Sequence, residues 1–302
     1  MDTTKEGWMN DKDPKKMALQ IAGLRASETH LPEDERVFND PYAEYFLPDE
    51  MRESLKDLKQ VRAAISQYEQ MMPGVNGAIV ARIRFIDEYL LESISTGLRQ
   101  LVIIGAGYDT RAYRFEAVRD HLMVFEVDHP ATQGVKVEKI LEIFGTLPDH
   151  VKYVPVVFGA DRLDKKLIES GYNPSLKTLF IVEGLLMYIP PPAVDGLLSF
   201  VVNASGPGSA FVADYFNDSV IDGTSRLKEA QVLRTFVESE GAPLRFGVKE
   251  GKIEEFFYER GFPIVTNVTS ASCKEQYFIN ASSSRTVSPM FNFVHATVSP
   301  GK

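Results

Sequence analysis

From Leu101 onward the sequence alternates short β-rich runs with helical segments, and this alternation constrains the fold more than any other feature. The β-rich runs read LVIIGAG, MVFEVD, KYVPVVF, TLFIVEG, SAFVADYF, FPIVTNVT and FNFVHATV. Helical stretches such as ATQGVKVEKILEIFG lie between them. Nearly continuous apolar strands that alternate with helices are typical of a parallel sheet covered on both faces. The last two runs lie closer together, with little helix between them, so we expect the final strand to be antiparallel.

The first hundred residues predict helices. The stretch GAIVARIRFIDEYLLESIS has apolar residues at helical spacing along one face. Arg82 lies roughly 80° from the centre of that face, so we expect it to be half covered, with Arg84 further out. We predict an α/β fold, in which a doubly wound, mostly parallel sheet at 97–302 carries an N-terminal helical cap at 1–96. No linker separates the two, so residues 1–302 are expected to form one domain.

Charge and composition narrow the function. The net charge of −9 argues against nonspecific binding to nucleic acid or to an anionic membrane, because both need a basic surface. The single cysteine, Cys273, excludes an internal disulfide and a multi-cysteine zinc site, and the histidines show no metal-binding spacing, so we expect no metal. The N-terminus lacks the apolar run of a secretion signal, and LFIVEGLLMYI is too short to span a bilayer. These features predict a cytoplasmic protein.

The stretch LVIIGAGYDTRAYRF joins an apolar strand to a glycine turn. Ligands of open parallel sheets bind beyond the carboxyl ends of the strands, and Gly105 and Gly107 suit close backbone approach. Thr110 stands where the dinucleotide fingerprint has its third glycine, so a plain turn remains an alternative. Asp128 ends the next run, 21 residues after Gly107, where an acidic side chain typically binds ribose hydroxyls. Asp128 could also cap the following helix. The glycine turn and Asp128 together nevertheless predict a nucleoside-containing ligand.

Asp109 favours one of two nucleoside cofactors. A nicotinamide dinucleotide needs its pyrophosphate at a helix N-terminus, where the carboxylate of Asp109 would repel it. The same carboxylate suits the ammonium group in the methionyl part of S-adenosylmethionine. The residues therefore favour S-adenosylmethionine. A nicotinamide-dependent oxidoreductase and a cofactor-binding protein without turnover remain the alternatives.

Six stretches form a motif set: ALQIAGLRASE, FNDPYAEYF, VARIRFIDEYL, IIGAGYDTRAYRF, FEVDHPATQGVK and IVEGLLMYIPPPAVDGLL. With them the chain resembles the leucine carboxyl methyltransferase-like family of S-adenosylmethionine-dependent methyltransferases, in family order from about residue 18 to residue 200. The C-terminal third matches only in its strand–helix rhythm. The resemblance implies a Rossmann-like class I methyltransferase core with S-adenosylmethionine as the cofactor.

The resemblance implies roles around the methionyl part and the ribose of the cofactor. Arg82 would contact the methionyl carboxylate, and Asp128 would bind the ribose. The methionyl part would be lined by Gly105, Ala106, Gly107 and Asp109. The plainer alternative for Arg82 is a surface ion pair with Asp87 or Glu88.

The resemblance also implies an adenine site and a substrate cleft. Asp161 and Arg162 would hold the adenine, although their order, Asp-Arg-Leu, departs from the family's Asp-Leu-Arg segment. Glu183 would lie between the methionyl end and the cleft. If this carboxylate is buried inside TLFIVEGLLMYI, a positive charge must offset the free-energy cost of its burial. Tyr188 follows at the usual family position, which makes Glu183 and Tyr188 the catalytic candidates, and Arg25 could reach the cleft from the cap. The plainer alternatives are a helix cap at Asp161 and a core position for Tyr188.

The absence of an obvious acid–base pair is compatible with O-methylation of a carboxylate or hydroxyl acceptor, which we predict. A carboxylate is already ionised at neutral pH and needs no base, whereas a phenol or alcohol needs one or some hydrogen-bonding help. The family resemblance implies that the acceptor is a small molecule or a protein carboxylate, and the sequence does not identify it. We expect residues 1–75 of the cap to form the acceptor cleft or a lid over it rather than the cofactor pocket. The plainer alternative is that the cap only covers one side of the sheet.

Overall fold

A computed structural model describes residues 14–299. Three predictions therefore lie partly outside the described residues. They are the absence of a secretion signal at the N-terminus, the start of the cap at 1–96 and the end of the core at 97–302. Among residues 14–299, no helix is both long and apolar enough to cross a membrane.

A seven-stranded sheet forms the centre of residues 14–299, with the strand order β3-β2-β1-β4-β5-β7-β6. Its strands are β1 (Gln100–Ile104), β2 (Met123–Asp128), β3 (Val151–Pro155), β4 (Thr178–Val182), β5 (Ala210–Tyr215), β6 (Ile264–Thr269) and β7 (Asn292–Thr297). The strands β1 to β5 are parallel, and β7 runs antiparallel to both β5 and β6. All the predicted runs form strands, and the antiparallel final strand is confirmed. The strand order reverses between β1 and β4, which is the switch point where open sheets bind ligands.

Helices flank the sheet on both faces. The cap contains α1 (Pro14–Thr29), α2 (Asp49–Leu55), α3 (Leu58–Met71) and α4 (Val75–Ser95), with a 3₁₀ helix at Ala43–Phe46. The core contains α5 (Arg111–Arg114), α6 (Glu116–His121), α7 (Pro130–Phe144), α8 (Leu163–Glu169), α9 (Pro191–Asn203), α10 (Asp218–Asp222), α11 (Lys228–Ser239), α12 (Ile253–Tyr258) and α13 (Ser270–Tyr277). Helix α13 and a 3₁₀ helix at Asn280–Ser284 lie between β6 and β7, so this connection is more helical than its sequence predicts.

The alternation of apolar side chains in β1 explains the layered packing. Leu101 and Ile103 face the apolar cluster that contains the cap helices, whereas Val102 and Ile104 face the cluster on the other side of the sheet. Each β1 residue is completely or almost completely buried, as expected for a central strand covered on both faces.

Candidate functional site

The glycine turn after β1 has a backbone that few residues other than glycine can adopt. Gly105 and Gly107 have φ angles of 73° and 45°, in the left-handed region. A Cβ atom on Gly105 would also lie 2.9 Å from Cδ2 of Leu185. The amides of Gly105 and Ala106 donate to the carbonyl of Val127 at 2.9 and 3.0 Å. The turn is therefore fixed beside the carboxyl end of β2.

Asp128, the last residue of β2, supports the same turn. Its Oδ2 accepts a hydrogen bond from the Gly107 amide, and its Oδ1 accepts one from the His129 amide at 2.6 Å. Asp128 does not cap the next helix, because the N-cap of α7 is His129, whose ring accepts a hydrogen bond from the Ala131 amide. A carboxylate has about four lone-pair positions, so Asp128 can still accept hydrogen bonds from a ligand.

Arg111 lies at the centre of an ion-pair network that sequence reasoning did not single out. It is 2% exposed. Its backbone amide donates to Oδ1 of Asp109 at 2.7 Å, and its Nη1 pairs with Oδ2 of the same residue. Its guanidinium also binds Oε2 of Glu183 at 2.6 Å and Oδ1 of Asp87 at 2.7 Å. The carboxylate of Asp109 therefore forms an ion pair with Arg111, and Asp109 also lines the cavity.

Arg82 is 4% exposed, so the expectation that it is half covered is wrong. A helical wheel counts only neighbours on the same helix, whereas the ends of β4 and β5 cover this side of α4. Its Nε donates to Oε1 of Glu183 at 3.0 Å, and its Nη1 donates to Oδ2 of Asp214 at 2.7 Å. The alternative surface pair with Asp87 or Glu88 is not formed.

The pKa values of the three carboxyl groups in the cavity differ. Burial raises the pKa of Glu183, but the charges of Arg111 and Arg82 outweigh burial, so the net shift is downward. Burial also raises the pKa of Asp109, but the charge of Arg111 lowers it more, and the pKa of Asp109 falls to about 2. The pKa of Asp128 is raised by burial, which its backbone hydrogen bonds only partly offset. Glu183 is therefore a stable anion and a poor proton acceptor.

The cap helix α1 lies directly over the glycine turn. Arg25 is 5% exposed; its Nη2 donates to the carbonyl of Tyr108, and its Nη1 lies 3.2 Å from Oδ2 of Asp40. Thr110 donates its hydroxyl to the same Asp40 oxygen at 2.7 Å. The residue that replaces the third glycine thus attaches the cap to the turn. The cap borders the predicted cofactor side, and not the acceptor side alone.

A cavity of about 400 Å³ lies between the cap and the carboxyl ends of the strands. This volume falls within the range of about 300–1,000 Å³ typical of small-molecule sites. We define the polar lobe as Arg25, Arg82, Gly105, Ala106, Gly107, Asp109, Arg111, Arg114, Asp128, His129, Thr132 and Glu183. We define the apolar lobe as Tyr68, Met72, Val75, Ile79, Met187, Tyr188, Phe216, Leu233, Phe236, Val237 and Phe291.

The two lobes meet at the end of β4. The glycine turn and Asp128 of the polar lobe follow β1 and β2, and Glu183 follows β4. In the apolar lobe, Phe216 follows β5 and Phe291 precedes the antiparallel β7. Helix α4 connects the two lobes, because Val75, Ile79 and Arg82 follow one another at helical spacing on its cavity side. Val75 and Arg82 are about 10 Å apart along the axis at 1.5 Å per residue. Arg82 and Glu183 therefore mark the junction between the lobes.

Of the remaining predicted residues, Tyr188 lies in the cavity, whereas Asp161 and Arg162 lie outside it. Tyr188 is 7% exposed and lines the cavity. Asp161 and Arg162 instead line a second hollow, which shares Phe158 with the cavity. The Asp161 side chain accepts a hydrogen bond from the Val157 amide and caps no helix, because Arg162 occupies the N-cap position of α8. The adenine role of Asp161 and Arg162 stays a prediction.

The apolar lobe contains a hydroxyl that sequence reasoning missed. Tyr68 lines the cavity from α3. Burial raises the pKa of Tyr68, and the nearby positive charge of Arg82 partly offsets this effect. Its hydroxyl therefore stays protonated at neutral pH. Within residues 14–299, no group of three or more His, Cys, Asp and Glu side chains is arranged to hold a metal ion.

A sequence model of the family described as Leucine carboxyl methyltransferase matches residues 18–202. The chain belongs to this family. The match confirms the predicted resemblance and covers the whole polar lobe. Phe216, Leu233, Phe236, Val237 and Phe291 of the apolar lobe lie beyond it.

Relatives named as S-adenosyl-L-methionine-dependent methyltransferases bear out the expected cofactor. The protein from Bacillus subtilis is 26% identical over 217 residues, which are 72% of this chain and 71% of that protein. A Streptomyces coelicolor relative is 33% identical over 197 residues, 64% of this chain and 63% of that protein. One from Mycobacterium sp. (strain MCS) is 31% identical over 212 residues, 69% of this chain and 82% of that protein. The alignment thus spans slightly less than two thirds of the Streptomyces protein.

Solved structures support the fold. A crystal structure described as a methyltransferase from Thermobifida fusca has a TM-score of 0.54 at 16% identity, over 80% of this chain and 89% of that chain. A DUF574 family protein from Streptomyces avermitilis has a TM-score of 0.56 at 12% identity, over 91% of this chain and 96% of that chain. These likenesses and the parallel sheet confirm the predicted α/β fold.

Proposed function

We propose that this protein transfers the methyl group of S-adenosylmethionine to an oxygen atom of its acceptor, with a carboxylate favoured over a hydroxyl. The observation that carries the proposal is the glycine turn held by Asp128 at the switch point of the sheet, in a cavity closed by the cap. S-adenosylmethionine supplies a methyl group on a positively charged sulfur, with a neutral thioether as the leaving group. The protein's own residues bind, orient and exclude water.

The charge of the polar lobe, counted together with the carboxylates that pair with its arginines, fits S-adenosylmethionine. The arginines Arg25, Arg82, Arg111 and Arg114 face six carboxylates, namely Asp40, Asp87, Asp109, Asp128, Glu183 and Asp214. The formal excess is two negative charges. This excess favours a cofactor that carries a sulfonium and an ammonium group against one carboxylate, and it disfavours a pyrophosphate. It therefore supports a methyltransferase over the nicotinamide-dependent alternative.

The acid–base properties of the cavity favour a carboxylate acceptor. Glu183 is held as an anion by two arginines, and the pKa of Tyr68 is raised by burial. Neither group accepts a proton readily at neutral pH. A carboxylate acceptor needs no proton transfer. Arg82 and Glu183 would then orient the reacting groups at the junction without taking part in proton chemistry.

Two measurements test the proposal. Isothermal titration calorimetry should show that S-adenosylhomocysteine binds and NADH does not, and the melting temperature should rise only with the former. A panel of carboxylic acids and phenols is then incubated with methyl-labelled S-adenosylmethionine. We expect label in base-labile esters. Base-stable label would indicate a hydroxyl acceptor, binding of NADH alone would support the oxidoreductase, and cofactor binding without label in any compound would support a protein without turnover.

A further inference from the structure

We infer that the apolar lobe holds the body of the methyl acceptor, and that this acceptor is a small molecule with an apolar, ring-sized body and one reactive oxygen. The inference rests on the proposed function, because it assigns the second lobe of the same cavity. A polypeptide that ends in a free carboxylate is the competing occupant.

The lining of the apolar lobe contains no charged side chain. Nine of its members are hydrocarbon or thioether side chains, and the other two are Tyr68 and Tyr188. The wall helix α11 turns its charges away, since Arg234 pairs with Glu238 at 3.0 Å on the exposed side. A surface of this kind favours an apolar ligand and penalises one with several polar groups.

The apolar lobe is enclosed. Met72, Val75, Phe216, Val237 and Phe291 are each 6% exposed or less. The rings of Phe216 and Phe291 meet edge to face with centroids 5.0 Å apart, which is a rigid wall for another ring. A polypeptide inserted here would bury backbone N–H and C=O groups among side chains that cannot pair with them. An apolar small molecule has no such cost.

The junction fixes how the acceptor is oriented. The Arg82 guanidinium lies where the lobes meet, and Tyr68 contributes a hydroxyl to the lining of the same cavity. An acceptor whose body fills the apolar lobe therefore places its single oxygen towards these groups, next to the polar lobe. Once the methyl group is transferred, the carboxylate becomes a neutral ester.

The family match covers the polar lobe completely and the apolar lobe only in part. It ends at residue 202, and five of the eleven apolar-lobe residues, Phe216, Leu233, Phe236, Val237 and Phe291, lie after it. The matched part of the chain thus supplies the whole polar lobe and six apolar-lobe residues, while the C-terminal third supplies the other five. Such a division is expected if the apolar lobe sets the acceptor specificity.

The test is calorimetry on the full chain saturated with S-adenosylhomocysteine. The titrants are 2-naphthoic acid, succinic acid and a hexapeptide that ends in a free leucine carboxylate. Leu233→Asn changes the apolar lobe, and Val232→Asn is the matched control, because both residues are half-buried on α11 and only Leu233 lines the cavity. Circular dichroism confirms the fold of each variant. If Leu233→Asn does not fold, Phe236→Asn replaces it.

We expect 2-naphthoic acid to bind the wild type at least about tenfold more tightly than succinic acid or the peptide, since small changes in an apolar pocket already cost about tenfold or more. Leu233→Asn should weaken 2-naphthoic acid about tenfold and leave S-adenosylhomocysteine affinity unchanged. Val232→Asn should change neither. Tighter binding of the peptide, no binding of 2-naphthoic acid, or equal effects of the two variants would overturn the inference. Absence of S-adenosylhomocysteine binding would overturn the proposed function instead, and 2-naphthoic acid titrated alone would still report on the apolar lobe.

Discussion

The two lobes of the cavity are built by opposite means. The polar lobe depends on ion pairs whose members come from distant parts of the chain, such as Arg82 with Asp214 and Arg111 with Glu183. The apolar lobe depends on side chains at helical spacing, such as Leu233, Phe236 and Val237 on α11. Removing one member of a buried ion pair leaves an unpaired charge, whereas an apolar wall tolerates changes of shape. We therefore expect substitutions in the polar lobe to have the larger effects.

The largest effect is expected at the junction. Arg82→Ala would leave Glu183 with one arginine and Asp214 with none of its present guanidinium partners, so the free energy of unfolding should fall by about 3–5 kcal/mol. Arg84→Ala is the matched control on the same helix, because Arg84 pairs with Glu88 on the half-exposed side and exposed pairs are worth about 0.2–1 kcal/mol. Urea denaturation compares the two variants. Similar losses for both would contradict the central role of Arg82.

The next effect concerns ribose recognition. Asp128→Asn should weaken the binding of S-adenosylhomocysteine by about 1–3 kcal/mol, the range for hydrogen bonds to a charged acceptor and for a group left unpaired. Asp161→Asn tests the adenine assignment on the same ligand. Because Asp161 lines the second hollow and not the cavity, we expect it to have little effect. If calorimetry shows the same loss of S-adenosylhomocysteine affinity in both variants, Asp161 belongs to the cofactor site.

A pH dependence separates Asp128 from the other carboxyl groups of the polar lobe. Its folded-state pKa is raised above the ordinary 3.8, while the pKa values of Asp109 and Glu183 are lowered. As the pH falls from neutral, Asp128 is therefore protonated first and loses acceptor capacity. We expect wild-type affinity for S-adenosylhomocysteine to begin to fall above pH 3.8, and Asp128→Asn to lack this step. Parallel curves for the two proteins would mean that another group causes the loss.

The smallest effect is expected in the apolar lobe. Tyr68→Phe removes one hydroxyl near Arg82 and keeps the ring, so affinity for 2-naphthoic acid in the presence of S-adenosylhomocysteine should fall by about 0.5–1.5 kcal/mol. Tyr45→Phe is the control, because Tyr45 does not line the cavity. Calorimetry should show unchanged binding of S-adenosylhomocysteine in both. An unchanged 2-naphthoic acid affinity in Tyr68→Phe would exclude a hydrogen bond from this hydroxyl to the acceptor.

The sequence predicts the sheet and the turn well because their signals are local. Apolar runs that end in glycine or aspartate define β1 and β2, and in the structure Gly107 and Asp128 are joined by a hydrogen bond. The burial of Arg82 and the part played by Asp214 are not predictable in this way. Their partners lie 101 and 132 residues from Arg82, and Asp214 lies inside an apolar strand without any motif.

The apolar lobe escapes prediction for a different reason. In the sequence, the apolar residues of α3 and α11 are indistinguishable from residues that fill a core, since both show the same helical spacing. Only the tertiary arrangement leaves space beside them. The helix between β6 and β7 was underestimated because SASCKEQY has little apolar periodicity, and a capping box between Thr269 and Ser272 starts it instead.

The reversed direction of β7 has a consequence for how the chain can diversify. Because β7 is antiparallel to β5, Phe291 at its start meets Phe216 at the end of β5, although the two are far apart in the chain. The connection that leads into β7 can therefore change in length and composition while the strands that carry Gly105 and Asp128 keep their register. On the proposed function, changes in this connection alter the acceptor side of the cavity and leave the donor side unchanged.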